Sequence, residues 1–74
     1  MIDIADIVIH VHKNLLSEHL ERIEEEVSAL EGVISVNFSH EIKHRLTVVF
    51  DPMVTTSKRF LNLVKQWDKN AFLL

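Results

Sequence analysis

Five histidines stand in a chain of 74 residues: His10, His12, His19, His40 and His44. An imidazole offers a nitrogen ligand to borderline metal ions, and it titrates near neutral pH. His10 and His12 are two apart. On a strand that spacing points both side chains to one face, with backbones roughly 6.5 to 7 Å apart, so two imidazoles can converge on one ion. With a carboxylate or a water completing the shell, such a set suits Zn(II), Ni(II), Co(II) or Cu(II). Glu18 and Glu41 are candidate carboxylates. No zinc-finger-like spacing links the histidines, so any site must be assembled by the fold. There is no cysteine. Paired thiolates, and the soft Cu(I) they hold, are therefore outside this chain's chemistry.

Other chemistries find less support. No nucleophile–base pair and no phosphate-cradling loop is present, and the chain has no length for a sizeable pocket, so an enzyme is the weakest reading. The net charge of −3 and the scarcity of aromatic platforms count against nucleic acid. Lys13, Lys43, Arg45 and Lys69 could at most hold an anion. The length corresponds to a single domain over 1–74. Hydrophobic residues make up 47% and charged residues 26%, a globular balance. The opening Met1 to Asp6 has two acids and no basic stretch, unlike a signal peptide. No apolar run approaches the roughly 20 residues of a membrane span. The expectation is a soluble, cytoplasmic domain.

The elements that must position the histidines follow from periodicity. Ile7, Ile9 and Val11 alternate with Val8, His10 and His12, which predicts a strand with one apolar face. Ser17 is a suitable N-cap. Leu20, Ile23, Val27 and Leu30 then recur at helical spacing, with glutamates Glu21 and Glu24 to Glu26 on an outer, solvated face. Gly32, the one glycine, lies past the last apolar position, where a left-handed residue ends a helix. A second strand places Ile34, Val36 and Phe38 on one face and Val33, Ser35 and Asn37 on the other. A third alternates Leu46, Val48 and Phe50 with Arg45, Thr47 and Val49, and Asp51-Pro52 stops it. Thr56 or Ser57 caps a second helix with Phe60, Leu61, Val64 and Trp67 as its buried stripe. Ala71 to Leu74 leave room for a short last strand. Strand, helix, strand, strand, helix, strand predicts an α+β, ferredoxin-like βαββαβ sandwich: a four-stranded antiparallel sheet with two helices on one face. Right-handed crossovers put the last strand beside the first, and the third on its other side.

Several stretches resemble the heavy-metal-associated domain of small copper chaperones and metal-pumping ATPases. Ile23-Glu24 followed by Leu30-Glu31-Gly32-Val33 matches the family's "IE…L-x-GV" at its spacing. Val36 and Phe38 stand for its "V-x-V", and Val48 to Pro52 for its "V-x-Y/F-D-P". The likeness runs without a gap over about residues 5 to 73. It implies a metallochaperone-like scaffold with a metal-binding pole after the first strand. The family's Cys-x-x-Cys positions are Leu16 and His19 here, its preceding Met is Asn14, and its Gly-Tyr before the last strand is Asp68-Lys69.

In this topology His12, His19, His40 and His44 fall at that pole, with His10 one step down the strand. The candidate metal ligands are His10, His12 and His44, with His19 and His40 in reserve. Exposed polar positions at turns and strand ends would give the same histidines with no metal. The resemblance implies two readings: a carrier of a divalent transition metal that meets a metal transporter, or a metal-free interaction module. In the second, a partner protein or a second copy docks on the acidic first helix or the open sheet face. Val8, Val33 and Val49, joined by Phe72 or Leu74, are the expected apolar residues of that face.

Overall fold

The computed structural model describes residues 4–11, 17–39 and 44–74. His12, Lys13, Asn14, Leu16, His40, Glu41 and Lys43 lie outside the described residues. The elements are β1 (Ala5–His10), α1 (Ser17–Ser28), β2 (Val33–Phe38), β3 (Arg45–Phe50), α2 (Ser57–Lys65) and β4 (Phe72–Leu73). The strands form one antiparallel sheet in the order β2-β3-β1-β4. This is the βαββαβ arrangement that the periodicity predicts.

The register follows from the pleat. β1 pairs β3 from Ala5↔Phe50 to His10↔Arg45. Ile9 therefore shares a face with Leu46 and Val48, and all three are fully buried. Ile23 and Val27 of α1, and Phe60 and Val64 of α2, close the core from the helix side. Phe50 and Phe60 meet edge to face, with ring centroids 4.9 Å apart at 70°. The opposite face of the sheet carries Val8, His10, Thr47, Val49 and Phe72, and among the described residues no helix covers it.

Several local expectations are corrected. Between Val33 and Ser35 the β2–β3 ladder shifts register. The extra residue turns Val33 towards the core and leaves Ile34 53% exposed, the reverse of strict alternation. α1 stops at Ser28, and Leu30 N–H reaches back to Val27 O in a tighter turn. Gly32 does adopt positive φ, 90°, but in the turn entering β2 rather than directly behind the helix. Trp67 lies beyond α2, half-buried, and its indole N–H donates to Glu26 Oε2 at 2.9 Å. Thr56 is the N-cap of α2 by backbone geometry, with no hydrogen bond from its side chain.

Glu24 also departs from its expected solvated role. Its Oε1 accepts the Phe38 N–H at 2.9 Å. Ser39 N–H bonds across to Arg45 O, so Phe38 N–H must point away from β3, off the free edge of the sheet. Glu24 thus satisfies an edge donor that would otherwise recruit another strand. Glu24→Ala is expected to lower stability by about 1 to 2 kcal/mol in urea unfolding, and Glu24→Gln, which keeps an acceptor, by less. Equal losses in both variants would mean that the hydrogen bond is not what Glu24 contributes.

Candidate functional site

His10 closes β1 on the open face of the sheet. Its register partners are Arg45 on β3 and Phe72 on β4. One residue on, the Val11 N–H donates to His44 O at 2.9 Å, which holds the start of β3 against the end of β1. The two imidazoles are brought together by this pairing. Their centroids lie 4.6 Å apart at 81°, an edge-to-face contact. Phe72 closes the other side of His10, with centroids 4.9 Å apart at 32°. The result is a three-ring row across β3, β1 and β4, with Phe72 about half exposed.

His19 belongs to a different contact. It lies in the first turn of α1, and its ring packs on Trp67 at 5.7 Å and 41°. Glu18, Glu21, Arg22, Glu25, His19 and Trp67 line a groove of about 430 Å³ there. The structure therefore pairs His10 with His44, on one face of the sheet, and leaves His19 with the helix layer. His12 and His40 are outside the described residues. Among the described residues no group of three or more His, Cys, Asp or Glu side chains is placed to hold a metal ion.

Two imidazoles supply two nitrogen ligands. A closed zinc site takes four and an exchangeable one about three, so the His10–His44 pair is part of a shell. The same edge-to-face geometry also satisfies two rings as a plain aromatic contact. Counting histidines alone does not single out this pair. The signal is positional: His10 ends β1, and His44 immediately precedes its antiparallel neighbour β3. Phe72 and Glu26 were the partners that the sequence reading missed, because both contacts join elements far apart along the chain.

No protein-family model matches the sequence, and no curated protein matches it. Solved structures do. Oxidised MerP from Ralstonia metallidurans superposes with a TM-score of 0.80 at 17% identity, over 96% of this chain and 97% of that chain. The copper binding domain from HMA7, a P-type ATPase, gives 0.78 at 19%, over 93% and 92%. The putative copper-ion-binding protein from Bacillus anthracis str. Ames gives 0.77 at 19%, over 100% of each chain. Identities this low speak to fold alone, and the shared fold is the ferredoxin-like βαββαβ sandwich. No helix among the described residues is long and apolar enough to cross a membrane.

Proposed function

We propose that this heavy-metal-associated fold serves as a small metallochaperone-like binding module whose cargo is a borderline divalent ion. Zn(II), Ni(II), Co(II) or Cu(II) would be held on imidazole nitrogen rather than on thiolate. The single observation behind this reading is the His10–His44 pair, 4.6 Å between centroids at the end of β1. The lack of any cysteine excludes the thiolate alternative. Two of the structural neighbours carry copper-binding descriptions, which supports a metal role for the shared scaffold. His12, two residues beyond His10 in sequence, is the proposed third ligand, and His19 the reserve on α1. The module binds and releases an ion and makes or breaks no covalent bond. Its proposed partner is a metal transporter that takes the ion over.

A ¹⁵N NMR titration near pH 7.5 with Zn(II), Ni(II) and Cu(II) in turn tests this. Saturable shifts at His10, His44 and their neighbours are expected, with a Kd below about 1 µM, or about −8 kcal/mol. His10→Ala with His44→Ala should weaken binding by at least about tenfold, which is about 1.4 kcal/mol. Protons compete with the metal for imidazole, so affinity should fall as the pH is lowered towards 5.5. Weak shifts spread over all five histidines would overturn the reading.

One observation favours a second reading, a metal-free interaction module. The open sheet face exposes Phe72 at 49% and Leu74 at 60% beside Val8. In that reading the face docks a protein partner, and the histidines are its polar fringe. A metal titration without saturable shifts, together with partner-induced shifts on this face, would select it.

A further inference from the structure

The two helices that lie side by side over the sheet carry opposite charge. α1 holds five glutamates and one arginine. α2 holds Lys58, Arg59 and Lys65 and no acidic side chain. The exposed members of each set fall on one stripe. Glu18, Glu21 and Glu25, with Arg22 among them, share the outer side of α1, and Lys58, Arg59 and Lys65 that of α2. The acidic stripe also has a recess. The groove beside Trp67 is walled by Glu18, Glu21, Arg22 and Glu25, a net charge of about −2 from three carboxylates and one guanidinium, with the indole and the His19 ring as its apolar side. A recess of this composition fits a long cationic side chain. The methylenes lie along the rings and the charge meets the carboxylates, with a cation–π contribution from the indole.

We propose that the helix layer is a self-docking surface, in which α2 of a second copy lays its Lys58–Arg59–Lys65 stripe on the acidic, Trp67-walled stripe of α1. The same chain presents both halves of the contact, so a two-fold axis makes each pairing twice, the isologous arrangement of most dimers. Charge complementarity selects a second copy over other occupants, because this chain itself supplies a matching basic stripe. The contact is rich in exposed charges and is weak and salt-dependent. It leaves the open sheet face and the His10–His44 pair uncovered, and shares with the metal reading only the reserve ligand His19.

Sedimentation velocity on the full chain in EDTA, over a concentration series to the submillimolar range, tests this. Runs in about 10 mM and about 1 M NaCl compare screening lengths of about 30 Å and about 3 Å. A monomer–dimer equilibrium is expected at low salt, weakening by at least about tenfold at high salt. Glu21→Lys with Glu25→Lys should be monomeric, and so should Lys58→Glu with Lys65→Glu. Mixed in equal amounts, the two variants should recover a dimer, because each acidic stripe then meets a basic one. ¹⁵N spectra verify that each variant is folded. If a reversal unfolds the chain, Glu21→Gln with Glu25→Gln takes its place and should weaken association. A wild-type monomer at low salt would overturn the proposal and leave a basic segment of another protein as the occupant. A dimer indifferent to salt and to both reversals would overturn it in favour of the open sheet face.

Discussion

Phe60→Ala is expected to destabilise the chain by about 3 to 5 kcal/mol, the largest loss of any single truncation proposed for it. Phe60 is the largest fully buried side chain. It projects from α2 into the sheet, and its ring meets Phe50 at 4.9 Å. Truncating a buried Phe costs about 3 to 5 kcal/mol, from lost transfer free energy plus the cavity left behind. At about 0.05 to 0.15 kcal/mol per residue, a domain of 74 residues has about 4 to 11 kcal/mol in total. One truncation thus removes about half of the margin at the midpoint of these ranges, because so small a domain has no second core to fall back on. Urea unfolding followed by far-UV circular dichroism measures it, with Phe60→Leu as the milder control. A loss under about 1 kcal/mol in the alanine variant would show that the core is not centred on this ring.

The second large effect is at Gly32. Its φ of 90° lies where an L side chain is strained. A Cβ there would stand 2.9 Å from both Cβ and Cγ1 of Val54 and 3.0 Å from Cγ2 of Thr55. The backbone has little freedom to retreat, because the Gly32 carbonyl accepts the Asp51 N–H at 2.8 Å. Strain and clash together predict a loss of about 2 to 4 kcal/mol for Gly32→Ala. Trimming the neighbour in Gly32→Ala/Val54→Ala should return only part of it, because the Val54 Cβ position and the backbone strain both remain. Thermal and urea unfolding of the two variants give the comparison. If the double variant recovers fully, the close contact with Cγ1 is the whole cost, and the positive φ contributes nothing measurable.

Both predictions rest on residues that the sequence already marked. Phe60 and Val64 fall at helical spacing, Ile9 alternates with His10, and Leu46, Val48 and Phe50 alternate with Arg45, Thr47 and Val49. Those periods give the element types, and the order of elements with right-handed crossovers gives β2-β3-β1-β4. The lone glycine at a turn announced a positive φ. It did not announce the approach of Val54, whose loop is folded against Gly32 from far along the sequence.

The sequence by itself determined the fold, because hydrophobic period and turn chemistry are local properties that the chain carries in order. It also determined that no thiolate chemistry is possible, since that needs only the absence of cysteine. The tertiary structure alone decided the rest. It set His44 edge to face on His10, a pair the strand order already brought together, and it placed His19 on Trp67. It turned Val33 inward and Ile34 outward through one register shift. It drew Glu24 to the edge of β2 and Glu26 to an indole, out of an acidic run that reads as solvated. Each of these depends on side chains that are distant in sequence meeting at a particular register. Such a meeting is fixed by how helices and strands pack, a relation that no single segment of the chain contains.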